Sequence, residues 1–125
     1  MSDYTAKRIQ DMQAGFGGGF IKARAELGVT AFGMQVIQLP PDFEGYPEHD
    51  HSDSGQEEVY VTLSGSGSME IEGERVEMEP DTLIRVAADA KRTVVSGPQG
   101  LRMLVLGGCP GEAYKIVAAT ELEAA

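Results

Sequence analysis

His49 and His51 are the only two histidines in the 125-residue chain, and a single residue separates them. In extended backbone both imidazoles leave the same face, roughly 6–7 Å apart along the strand. Two imidazoles so placed can close on one cation at about 2.0–2.1 Å. Glu58 opens the next apolar run, EVYVTL, and offers a carboxylate from the adjacent segment. Two histidines and one carboxylate with open positions is the donor set of non-haem Fe(II) oxygenases. The plainer reading of the same residues is two solvated side chains in an acidic, glycine-rich loop.

Neighbouring residues would complete such a site. Tyr60 and Thr62 share the parity of Glu58, so all three project from one face of a strand. Tyr60 is the better candidate for a ligand contact, and Thr62 reads as core filling. Tyr46 precedes the histidines closely enough to stand at a barrel mouth. Met34, Val36, Met69, Ile71, Met78 and Met103 supply candidate apolar wall, with Met34 the one assigned to a ligand. Cys109, in GGCPG, has no histidine or lysine beside it and reads as a small residue at a strand end. Glu70, Glu72, Glu74, Glu77 and Glu79 alternate with apolar residues and predict a solvated sheet face.

The elements that must position these groups read as strands. Residues 20–27 alternate apolar and charged side chains, which predicts a half-buried strand. Residues 31–39 and 57–63 predict two more, the latter rich in β-branched and aromatic residues. The run Ser64-Gly65-Ser66-Gly67 reads as a turn, as do Gly73, Pro80-Asp81 and Gly97-Pro98. Short strands with breaks about every 8–12 residues predict an antiparallel sandwich or barrel, without helix. The GFGGGF run at residues 15–20 lacks the lysine and spacing of a phosphate loop and reads as a flexible turn. Residues 1–19 form an arm or edge strand, 20–117 a single domain, and 118–125 a frayed tail.

Composition narrows the partners. Twenty acidic residues against ten basic ones leave a net charge of −10, which repels phosphate backbones and anionic lipid. Neither nucleic acid nor a membrane is an expected partner. No stretch reaches the roughly 18 apolar residues of a membrane span, and the first residues lack the apolar core of a secretory signal. A lone cysteine suits a reducing, cytoplasmic setting.

The run GYPEHDH (residues 45–51), followed by EVYVTLSG (residues 58–65), resembles the first motif of the cupins. Gly73, Pro80 and LIRVAADAKR (residues 83–92) are similar to the second. The resemblance covers roughly residues 30–108 and implies an all-β, single-domain antiparallel jelly-roll or cupin β-barrel. It also implies pairing of small cupins into homodimers through their sheets, with residues 20–27 crossing to a neighbour. Arg92 stands where metal-binding cupins carry a further histidine, and Ala87 and Asp89 replace the usual proline and glycine. Arginine has no lone pair to give a metal. It could point outward into solvent, repel a metal, or pair with Glu58 in the cation's place.

Three functions follow from that resemblance. The first is a barrel that binds a small polar molecule, with His49, His51 and Tyr60 as hydrogen-bonding groups and Arg92 attracting an anion. The second is a metal-dependent dioxygenase or isomerase, in which His49, His51 and Glu58 hold Fe, Mn, Ni or Zn. The third is a structural barrel that has lost its site.

Overall fold

The computed structural model describes residues 3–124, so the outermost ends of the expected arm and tail lie outside the described residues. The strands are β1 (Ala14–Gly15), β2 (Phe20–Ile21), β3 (Gly33–Leu39), β4 (Glu57–Ile71), β5 (Glu74–Met78), β6 (Leu83–Val86) and β7 (Arg92–Gly108). All pair antiparallel, in the order β1-β2-β3-β7-β4-β5, with β6 also on β4. The hydrogen-bonded ladder does not close into a ring. Among the described residues no helix is long and apolar enough to cross a membrane.

Two strands are far longer than expected, because the glycine runs read as turns do not reverse the chain. β4 passes straight through Ser64-Gly65-Ser66-Gly67, and β7 passes through Gly97-Pro98. Both change parity there. Glu58, Tyr60 and Thr62 are buried before the irregularity in β4, and Met69 after it. In β7 the buried set shifts from Arg92, Val94 and Ser96 to Leu101, Met103 and Val105. Register breaks between Thr62 and Ser64 and between Gly65 and Gly67 mark the bulges responsible. Each long strand therefore turns one face inward along its whole bent length. The Gly73 turn is as expected: Glu72 and Gly73, both at positive φ, join β4 to β5 in a two-residue hairpin.

Residues 20–27 depart from the expected strand. Only Phe20–Ile21 is extended, pairing with β3 of the same chain, and Ala23–Leu27 forms a short helix, α1. Alternation misled here because Ile21, Lys22, Ala23 and Arg24 are all buried in succession. ARAEL is a run of good helix formers, and Gly28, left-handed at φ 80°, accepts the helix end by donating to Arg24 O at 2.9 Å. The tail is not frayed either, since Glu121 and Glu123 are hydrogen-bonded to Lys22 and Gln13. Of the arm's described residues, Ala14–Gly15 alone is strand, at the edge of the sheet as β1.

The inner cluster gathers Ile37, Tyr60, Met69, Met78, Ile84, Val86, Val94, Leu101, Met103 and Val105. A second cluster on the outer side of β3 joins Ile21, Ala23 and Val36, with Met34 packed against it.

Gly65 sits at φ 76°, and a Cβ there would collide with the Gly100 carbonyl oxygen on β7. Gly65→Ala should cost on the order of 3 kcal/mol in urea unfolding, since strain and clash add. Gly17→Ala, at φ 69° with open space around it, should cost only about 1 kcal/mol. Equal losses would show that the bulge does not need its glycine.

Candidate functional site

His49 and His51 lie outside the named strands but are held like one. His49 N–H donates to Arg92 O at 3.0 Å, and Arg92 N–H returns a bond to His49 O at 2.9 Å. His51 N–H donates to Ala88 O at 2.7 Å. Directly opposed residues of an antiparallel pair share a face. The bridge that aims His49 inward therefore aims Arg92 inward too, and the outward-pointing reading of Arg92 is overturned: it is 0% exposed.

These groups converge on Glu58, which is itself buried. Its Oε1 accepts from Tyr60 Oη at 2.9 Å. His51 Nε2 lies 3.2 Å from the same oxygen, Arg92 Nη2 3.4 Å and His49 Nε2 3.9 Å. The two imidazoles meet edge to face with centroids 5.0 Å apart, and the Tyr46 ring lies 5.9 Å from that of His49. Solvent reaches the cluster along the histidines, whose side chains are 29% and 26% exposed. Tyr46, Tyr60, Arg92, His49, His51 and Glu58 are thus brought together. Met34 is not: it packs on the opposite face of β3, because its parity follows Val36 rather than Ile37.

Burial alone would push the Glu58 carboxyl up, but the His51 ring, the Tyr60 hydroxyl and the Arg92 charge together hold it below the ordinary carboxylate value. The Tyr60 phenol moves the other way, far above its ordinary value, through burial and the charges of Tyr46 and Glu58. Burial also raises Tyr46. Three buried polar atoms around Glu58 make no hydrogen bond: His51 Nε2, Arg92 Nε and Arg92 Nη2. Orphaned buried donors mark a place where a ligand, ion or water belongs.

His49, His51 and Glu58 each place one donor atom within 4.8 Å of the other two. Donors sharing a metal at about 2.0–2.2 Å stand at most about 4.4 Å apart, so small side-chain movements suffice. With His51 Nε2 unpaired, the donor set fits a divalent transition metal. Arg92 weakens that fit. A unit charge repels a dication 4 Å away by about 8 kcal/mol at an effective dielectric near 20, and Glu58 offsets only part of it.

Sequence reasoning missed Gln56, whose Nε2 donates to Glu58 Oε2 at 3.2 Å. Its parity, two residues before Glu58, was the available signal. Two shallow surface depressions lie away from the cluster, one beside Gln99 and Arg102 and one beside Ile9 and Met12.

No family model and no curated protein matches the chain. In structure it is similar over the full length of both chains to a cupin protein from Bacteroides fragilis, with a TM-score of 0.72 and 20% identity. The fold is that of the cupins. A second similar structure is the cupin domain of an XRE family transcriptional regulator from Enterobacter cloacae, with a TM-score of 0.57 and 25% identity over 66% of this chain and 86% of that one. A third is a sugar phosphate isomerase of the cupin superfamily from Silicibacter pomeroyi, with a TM-score of 0.60 and 17% identity over 70% and 57%. At position 92, where the sequence resemblance implies a further histidine, this chain carries a buried arginine.

Tyr60→Phe removes one charge-assisted hydrogen bond and should cost about 1–2 kcal/mol in urea unfolding at neutral pH. Because Glu58 titrates lower when folded, its contribution is full above the ordinary carboxylate value and is lost as pH falls through the depressed one. The deficit of Tyr60→Phe should shrink over that acidic window. A pH-independent deficit would show that the hydroxyl acts through packing rather than through the Glu58 charge.

Proposed function

We propose that this cupin-fold chain binds a small anionic molecule, a carboxylate above all, at the end of its barrel. The observation that carries the reading is the Arg92 guanidinium: fully buried, with Nε and Nη2 making no hydrogen bond, in a cluster rich in donors and holding a single acid. Arg92 would attract the anion, and His49, His51, Tyr46 and Tyr60 would orient it. Acetate and malonate should raise the thermal midpoint of the metal-free protein, as any ligand selective for the folded state does. Arg92→Gln should abolish the gain. A wild-type midpoint indifferent to both anions would sink the proposal.

A metal-dependent enzyme is the second reading, favoured by the convergence of His49, His51 and Glu58. These three would hold Fe, Mn, Ni or Zn, and the metal would supply Lewis acidity toward a bound oxygen. A similar structure described as a sugar phosphate isomerase is consistent with such chemistry on this fold. Elemental analysis separates the two readings. One transition metal per chain in the wild type, lost in His49→Ala, favours the enzyme. Metal only in Arg92→His would show that the arginine keeps the cluster metal-free and would favour the anion site.

The reading extends to assembly and setting. The lone cysteine, Cys109, is unpaired and suits a reducing cytoplasm. We propose a homodimer through the outer sheet face, where Leu63 and Leu83 are exposed beside half-buried Val59 and Val61. Sedimentation should give twice the chain mass for the wild type and a single mass for Leu83→Glu. A monomeric wild type would overturn the dimer.

A further inference from the structure

At the end of the barrel that holds Glu58, inner-face positions run in a row across three strands. Gly33 of β3 pairs with Gly107 of β7, and Gly107 with Glu58 of β4. Opposed residues share a face, so two glycines stand beside Glu58 on the inner wall. Other side chains occupy the space they leave. A Cβ on Gly107 would meet Gln56 Cδ at 2.8 Å, and a Cβ on Gly33 would meet Tyr114 Oη at 3.0 Å. Gln56 in turn reaches Glu58. The row therefore runs Tyr114, Gln56, Glu58, with the phenol tip seated over Gly33.

Tyr114 reaches this place from a segment that otherwise barely touches the protein. From Pro110 to Ala119 it is the one residue that is not exposed. Beyond it the segment is tied down again. Lys22 Nζ donates to Glu121 O at 2.8 Å, and buried Arg24 pairs with the Glu121 carboxylate. Arg24 Nη1 is fixed by Val29 O at 2.7 Å. Gln13 and Glu123 exchange two hydrogen bonds, at 3.1 and 2.6 Å. Burial raises the Tyr114 phenol above its ordinary value, and the Arg24 charge pulls it partway back down.

We infer that Tyr114 is the size-selecting wall of the ligand site, positioned by the Glu121 latch, and that it restricts the site to compact carboxylates. The inference rests on the anion reading above. Beyond Tyr114 the segment is held through Glu121 and Glu123, so weakening the Glu121 contacts loosens the phenol's place in the row. A larger acid then gains the space over Gly33.

Three variants test it on the full chain. Tyr114→Ala removes the wall, Gly33→Ala crowds the phenol tip without altering it, and Glu121→Gln removes the charge that pairs with Arg24. Because His49 and His51 are the only histidines, their modification by diethyl pyrocarbonate reads access to the site without any ligand. Each variant should speed the slower histidine severalfold and shift thermal stabilisation from acetate toward citrate. Unchanged histidine rates in all three overturn the inference, whatever binds. Faster rates with acetate still preferred over citrate overturn size selection. If the wild type answers to no anion, the anion reading fails, and the histidine rates alone decide whether Tyr114 closes the site. Should Gly33→Ala not fold, Tyr114→Ala and Glu121→Gln decide the question between them.

Discussion

A guanidinium and a carboxylate buried against each other set the terms for everything around them. Arg92 and Glu58 are both withdrawn from water, and each faces the other's opposite charge there. Their contact is loose, at 3.4 Å, and Arg92 Nη1 turns instead to the Ala90 carbonyl at 2.8 Å. The pair neutralises charge but leaves hydrogen-bonding capacity unused. Such capacity is costly in an apolar interior and is retained where something binds.

That pair depends in turn on backbone geometry further along its two strands. Arg92 begins β7 and Glu58 lies near the start of β4. Both strands continue for fifteen or more residues, bending at glycine-rich bulges. Without the parity change at those bulges, the buried faces of their two halves would point in opposite directions. A single bent pair thus supplies the inner core and, at one end, the charged cluster. The loop 40–56, with little regular structure, hangs on this frame through the His49–Arg92 bridge.

The charge at the cluster also decides which ligands suit it. A cage of two imidazoles giving lone pairs and one carboxylate would suit a dication. Adding Arg92 offsets the carboxylate's charge and suits a dication less, an anion more. One residue therefore moves the same fold between metal chemistry and anion recognition, in keeping with the rule that scaffold and activity are separable.

The sequence alone was enough to determine the cupin fold, the candidate ligands His49, His51 and Glu58, and the inward parity of Tyr60. The fold came from a resemblance spanning residues 30–108; the ligands and the parity follow from spacing within short segments, where strand periodicity of two dictates which side chains share a face. It misjudged what local pattern leaves degenerate. Glycine runs serve turns and bulges equally, so β4 and β7 were read as broken; four residues buried in a row hid α1 behind an apparent alternation; and Met34 was placed on the wrong face of β3. Only the tertiary structure decided where Arg92 points, that Gln56 reaches Glu58 and that Tyr114 sits over Gly33, because those facts depend on contacts beyond local spacing. The pairing of residue 92 with 49, and the seating of residue 114 over 33, are contacts that no local spacing encodes.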